Sequence, residues 1–128
     1  MTGARGESIV QVDGREVRIL FTNRALANAE RAIGRSVLAI AQGFARGESG
    51  IGDVAQLLLV GIEAARQDAR ITGRATTLND AYTLMDAVGF AQAANAVMEA
   101  VAAVIQYGTE SDEADAEVPK ATADNLST

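Results

Sequence analysis

The stretch Ser8–Phe21, SIVQVDGREVRILF, constrains this chain more than any other. Two runs of alternating apolar residues flank Asp13-Gly14. An Asp-Gly pair in that setting favours a type I′ turn, because both central residues of the turn need positive φ. Pairing across the turn sets Val12 opposite Arg15, Val10 opposite Val17 and Ser8 opposite Ile19. Val10, Val12, Val17, Ile19 and Phe21 then share one face, and Gln11, Glu16, Arg18, Ile9 and Leu20 share the other. A lone hairpin with one apolar face is at best marginally stable in water. The rest of the chain must cover it, and the rest reads as helices. The expected fold is mainly α, an N-terminal β-hairpin packed on a bundle of four or five helices.

Taken in order, residues 1–7 are polar and Gly-containing and are expected to form a flexible N-terminus. Thr22 or Asn23 caps a first helix with Leu26, Ala29, Ala32 and Ile33 at helical spacing, ended by Gly34. Ser36 caps a short second helix with Val37, Ile40, Ala41 and Phe44 on one stripe. Gly47, Gly50 and Gly52 mark a loop. Asp53 opens a third helix that runs to about Ala69 and carries Val54, Leu57, Leu58, Gly61, Ile62 and Ala65 on its apolar face. Leu59 and Val60 widen that face, so this helix is expected to be buried on two sides. Residues 71–76 form a loop. Thr77 and Asp80 are spaced as a capping box for a helix over Leu78–Val88. Gly89 breaks the pattern, and Phe90–Tyr107 is the last and longest helix, ended by Gly108. The body thus spans 8–108, and 109–128 form an acidic tail, expected to be disordered, that holds the only proline, Pro119. The predicted core is Val17, Ile19, Phe21, Leu26, Ile33, Leu57, Leu58, Ile62, Val97, Val101 and Val104.

A chain of 128 residues is one domain. Aromatic residues make up only 4%, so the core must be built from Ala, Val, Ile and Leu. The net charge of −6 is uneven. Residues 1–108 hold ten Arg against eleven acids, and the tail holds Lys120 against Glu110, Asp112, Glu113, Asp115, Glu117 and Asp124. A near-neutral body with an acidic tail lacks the basic stripe that nucleic acid rewards, so no nucleic-acid partner is expected. The N-terminus has no apolar stretch of the signal-peptide kind. No apolar run approaches the ~18 residues of a membrane span, so no membrane partner is expected either.

The chain contains no Cys and no His. Disulfides, thiolate chemistry, histidine-ligated metals and a Ser-His-Asp triad are therefore excluded. Carboxylates could still hold a hard cation, but Glu63 with Asp68, and Asp80 with Asp86, do not share a tight helical spacing and read as a solvated face. The Gly47–Gly52 segment precedes a helix without the Lys or the strand of a phosphate-binding loop, and reads as a linker. No cofactor, metal or catalytic residue is expected, and an enzyme is the least supported class. Arg66, Arg70 and Arg74 cluster near the end of the third helix. They serve either as cations at the negative end of the helix dipole or as a contact for an acidic partner, the protein's own tail included. Leu59, Val60, Tyr82 and Leu84 exceed one core face and mark a candidate partner interface. The Ser8–Val12 strand edge offers backbone groups to another chain, and self-association is expected.

Three segments together resemble a known family. Asp13-Gly14-Arg15-Glu16-Val17-Arg18-Ile19-Leu20-Phe21-Thr22 follows the pattern Asp-Gly-x-x-Val-x-Leu-x-Phe-Thr, with Ile19 in place of Leu. Asn23–Gly34 follows N-x-A-L-A-x-x-E-x-x-x-G, and Asp53–Ile62 is similar to a helix of the form x-x-L-L-x-x-G-L. Over residues 8–107 the chain resembles the small tail proteins of siphophages and gene transfer agents that are grouped with the phage tail assembly chaperones. Members of the gene-transfer-agent branch are also called tail tube proteins. The resemblance implies a helix-rich body, an acidic C-terminus and no catalytic residues. It implies a chaperone that coats the tape measure protein while the tail assembles in the cytoplasm of the bacterial host cell, in contact with other tail proteins. Many such chaperones are made in a short form and a longer frameshifted form.

The competing reading is a structural tail protein, tube or minor, that remains in the particle. Tube subunits are usually β-sandwiches, and strand patterning here supports about one hairpin. A nucleic-acid-binding adaptor is a third class, disfavoured by charge. The tail has almost no apolar residues to bury, so truncation after Gly108 should leave the thermal midpoint within a few degrees when unfolding is followed by circular dichroism. A drop of tens of degrees would mean that the tail docks, with Arg66, Arg70 and Arg74 as its seat.

Overall fold

The computed structural model describes residues 5–48 and 50–117, with side chains as far as residue 106. Two antiparallel strands, β1 (Arg5–Val12) and β2 (Arg15–Thr22), lead into five helices: α1 (Asn23–Ile33), α2 (Val37–Ala45), α3 (Ile51–Asp68), α4 (Leu78–Val88) and α5 (Phe90–Glu117). The fold is mainly α with an N-terminal hairpin packed against the helices. Asp13 and Gly14 both adopt positive φ, 51° and 77°, as the two-residue turn requires. The strand register pairs Val12 with Arg15, Val10 with Val17 and Ser8 with Ile19.

The hairpin's inner face is closed by two helices at two glycines. α5 lies along β1, where Ser8 Oγ donates a 2.6 Å hydrogen bond to the carbonyl of Ala96. One step along the same face, a Cβ placed on Gly6 would overlap the carbonyl oxygen of Ala100. α3 packs on β2 at Gly61, where a Cβ would sit 2.6 Å from Ile19 Cγ2 and 3.1 Å from the Phe21 ring. At Gly6 strand and helix backbones therefore approach more closely than any side chain would permit, and at Gly61 the helix backbone rests on the Ile19 and Phe21 side chains. Ile19 and Phe21 are fully buried beneath this contact. α3 also packs on α1, α4 and α5 and is the central helix, with Val54, Ala55, Leu57 and Leu58 wholly inside.

Local chemistry sets most element boundaries. Thr22 caps α1, its hydroxyl accepting from the amide of Ala25 at 3.1 Å. Gly34, at φ 85°, closes α1 by donating to the carbonyl of Glu30. Ser36 caps α2 through the amide of Ala39. The Thr77–Asp80 capping box is complete, with each side chain accepting from the other's backbone amide. Gly89 turns the chain with φ 91°, and α4 and α5 meet there at 117°.

Several boundaries differ from expectation. β1 begins at Arg5 rather than Ser8, because Gly6 and Ser8 are both pinned on α5. Residues 1–4 of the expected flexible N-terminus lie outside the described residues. α3 begins at Ile51, capped by the backbone at Gly50, rather than at Asp53. The carboxylate of Asp53 instead pairs with Arg35. α5 continues through Gly108 to Glu117. A single helical glycine costs only about 1 kcal/mol, and the Glu and Ala residues that follow carry good helix propensity. Residues 118–128 of the expected disordered tail lie outside the described residues. Of the predicted core, Ile19, Phe21, Leu26, Leu57, Leu58, Val97, Val101 and Val104 are buried, whereas Val17, Ile33 and Ile62 pack on the core from half-buried positions. Leu20 is also buried, although it lies on the strand face opposite the main cluster.

Two glycines of α3 make opposite predictions. Gly61→Ala forces a methyl into Ile19 and Phe21 and should destabilise by about 1–3 kcal/mol. Gly52→Ala meets nothing closer than the Tyr82 hydroxyl at 3.9 Å and should stabilise by up to about 1 kcal/mol through helix propensity. Urea unfolding of the two variants checks the contrast, and a neutral Gly61→Ala would refute the close-packing account.

Candidate functional site

The four apolar residues expected at a partner interface do not form one patch. Leu84 is buried, which corrects its assignment to the surface. With Ala81 and Met85 at i−3 and i+1, it forms the inward stripe of α4. Leu59 and Val60 lie half-buried on α3 and pack against the core. Only Tyr82 remains exposed, at 38%, with its hydroxyl beside Gly52 at the start of α3.

Other apolar side chains stand out instead. Leu38 on α2 and Ile51 at the start of α3 are more than half exposed, and Phe90 at the head of α5 is 37% exposed. Between α2 and α5 runs a groove of about 250 Å³ lined by Ala41, Phe44, Met98, Val101, Ala102, Ile105 and Gln106. A sequence signal for Leu38 existed: it falls outside the stripe Val37–Ile40–Ala41–Phe44 that α2 turns towards the protein. Phe44 falls on the inward stripe of α2, and nothing local shows that α2 and α5 stand too far apart to close over it.

The three arginines do local work. Arg66 binds Glu63 through two nitrogens, at 3.0 and 2.8 Å, and its remaining nitrogen donates to the carbonyl of Ile71 at 2.6 Å. Arg74 holds Asp80 in a bidentate pair at 2.8 and 2.9 Å. Arg70 lies in the left-handed region at φ 59°, exposed just past the end of α3, and no side-chain hydrogen bond or ion pair is seen for it among the described residues. The cluster is a set of clamps on the α3–α4 loop more than a free cationic patch. A similar network crosses the outer face of the hairpin, where Arg5 and Arg18 both bind Glu7 and Asp68.

Carboxylates complete these clamps. Glu63 also accepts from the backbone amide of Thr76 at 2.8 Å and from Gln67. The Arg66 guanidinium first, and the Thr76 amide second, hold its carboxyl down to about 2 from the ordinary 4.5. Asp80 is held well below the usual carboxylate range by Arg74 and by the Thr77 amide. Arg5 and then Arg18 lower Asp68. Glu63, Asp68 and Asp80 are thus each committed to arginines. Among the described residues no group of three acidic side chains is arranged to hold a metal ion. Gly47, at φ 75°, and Gly50, the cap of α3, form a helix-to-helix linker. No single described helix is long and apolar enough to cross a membrane.

A wider cleft of about 340 Å³ opens between the hairpin tip and α4, lined by Val12, Arg15, Val17, Ile62, Thr76 and Asp80 among others. Its Asp80 is occupied by Arg74. Comparison of the chain with protein-family models, with curated proteins and with solved structures found no match.

The Glu63 clamp predicts a pH dependence. Its folded pKa is depressed, so its contribution is complete above the unfolded value near 4.5 and is lost as pH falls through about 2. Glu63→Gln should cost about 1–3 kcal/mol at neutral pH, as expected for charge-assisted hydrogen bonds, and should flatten the acid limb of the stability profile. Thermal unfolding at graded pH measures both. A variant that loses stability in parallel with the wild type across that window would refute the assignment.

Proposed function

We propose that this protein is a phage-type tail assembly chaperone that binds the tape measure protein during assembly, without enzymatic activity. The observation that carries the reading is where the family-like residues lie. Thr22 caps α1, Ala25, Leu26 and Ala29 are its buried stripe, and Gly34 is its left-handed stop. Glu30 reaches forward to accept from the amide of Val37 at 2.8 Å and so fixes the α1–α2 corner. Gly61 admits Ile19 and Phe21. The pattern that prompts the resemblance is thus concentrated at the joints of the fold, where a shared architecture would require it.

The surface suits such a role. The α2–α5 groove offers an apolar track that a long helical partner could fill with side chains at i, i+3 and i+4, and Leu38 adds exposed apolar surface on α2. This is the contact we assign to the tape measure protein, with Tyr82 and Ile51 as a second apolar site. The structural-tail alternative draws less support, since the only sheet among the described residues is the two-stranded hairpin. Co-expression with a tape measure protein should yield a complex, and Leu38→Glu should weaken capture at least tenfold while circular dichroism stays unchanged. Mass spectrometry of purified particles should find the protein absent or far below stoichiometry. Stoichiometric presence, or failure to capture the tape measure protein, would overturn the chaperone reading.

A further inference from the structure

We infer that two copies of this protein pair through the free edge of β1, antiparallel and centred on Ile9, to give a four-stranded sheet. The inference does not depend on the tail-assembly reading. In a two-residue hairpin the closing pair, Val12 and Arg15, is hydrogen-bonded, and bonded and non-bonded pairs alternate from there. The amides and carbonyls of Glu7, Ile9 and Gln11 therefore point away from β2. No backbone partner is seen for them among the described residues. The strand is eight residues long and in unbroken register, with no Pro and no Lys, and its two charges, Arg5 and Glu7, lie in its first half and leave Ser8–Val12 uncharged. Ile9 is 49% exposed on it. Beside it, Glu7, Ser8, Ile9, Glu16, Arg18 and Glu99 line an open cleft of about 420 Å³. The ion pairs of Arg5 and Arg18 with Glu7 and Asp68 cross the outer face of both strands, and on β2 Leu20 is buried, so the edge of β1 around Ile9 is what the hairpin offers.

Charge and shape select a second copy and one register. Only residues with outward-facing backbone groups can exchange hydrogen bonds, so odd positions must meet odd positions. Centred on Ile9, the pairing sets Ile9 against Ile9 of the second copy and Glu7 against Gln11, and brings Arg5 alongside the turn that holds Asp13. That is one apolar pair on the axis, flanked on each side by a hydrogen-bonding pair, with opposite charges at the two ends. Sliding the centre to Glu7 opposes two carboxylates. Centring on Ser8 sets Ile9 against Glu7, and centring on Val10 sets Ile9 against Gln11 and brings Glu7 alongside the turn that holds Asp13. The closed two-fold arrangement leaves the edges of both β1 strands satisfied.

The chain has no cysteine, so single substitutions report this geometry without background. In the proposed register Ile9→Cys places two thiols on the axis, with Cα atoms about 5.5 Å apart, within disulfide reach. Glu7→Cys places its two thiols about 14 Å apart, beyond reach. Under mild oxidation the full-length Ile9→Cys chain should form a covalent dimer and Glu7→Cys should not. Sedimentation of the wild type across micromolar concentrations should show a monomer–dimer equilibrium. Ile9→Lys, a change at a half-exposed position, should weaken that equilibrium at least tenfold with an unchanged circular dichroism spectrum. A monomer at every concentration, equal cross-linking at both positions, or self-association that survives Ile9→Lys would each overturn the proposal. A β1 edge that pairs only with a different protein would show itself as the first of these.

Discussion

Close approach at Gly6, to the α5 backbone, and at Gly61, to the Ile19 and Phe21 side chains, is the constraint on which this fold depends. A two-stranded sheet buries little by itself, and the helices that cover this one are rich in alanine. Small side chains bring helix and strand close together but remove little surface per contact. The missing Cβ at Gly6 lets α5 settle against β1, and that at Gly61 lets α3 settle against β2. The hairpin is thereby held on its inner face by two helices from distant parts of the sequence. Ser8, the one polar residue buried in the described structure, is satisfied by the Ala96 carbonyl in the same contact.

Features written in local chemistry were legible in the sequence. The Asp-Gly turn carries its own φ requirement, so the hairpin register follows residue by residue from the turn. Thr22, Ser36, Thr77 and Gly34 perform the capping roles that their side chains, or lack of one, dictate. Features decided by distant partners were not. Nothing in Arg5-Gly6-Glu7 indicates a strand until α5 is placed beside it. Leu84 looks like surplus on a periodicity plot because Tyr82 shares its turn, yet only Tyr82 turns outward. The α2–α5 groove is a gap between two elements, and no single-helix pattern describes a gap.

The arginines show how far composition alone can mislead. Arg66, Arg70 and Arg74 read as a basic cluster at the end of a helix, open to an acidic partner. In the structure two of the three are neutralised by carboxylates that also serve as backbone acceptors. Glu63 ties α3 to Thr76 and Asp80 ties the start of α4 to Thr77. Glu30 does the same for α1 and Val37. The α1–α2 connection thus relies on one acidic side chain that closes a turn, and the α3–α4 connection on two. The more exposed of these contacts, Arg74 with Asp80, adds little in isolation. Together they fix the angle at which the next helix leaves, and that angle decides whether an alanine-lined face meets its neighbour.

A core of this kind responds unevenly to change. Ala55, Ala81, Ala93, Ala94 and Ala100 are all wholly buried. Enlarging any of them pushes apart backbones that are held only by fit, and the displacement is shared with the hairpin through α3 and α5. Trimming a larger residue at the rim, such as half-buried Val17 or Ile33, removes area without moving a backbone. Sequence change should therefore be restricted at the small residues and freer at the rim, the reverse of a core built on large aromatic side chains. The same economy explains the exposed apolar residues. Helices packed this closely leave Leu38, Ile51 and Phe90 at their ends with no inward side to occupy, which places the molecule's apolar surface where a partner can reach it.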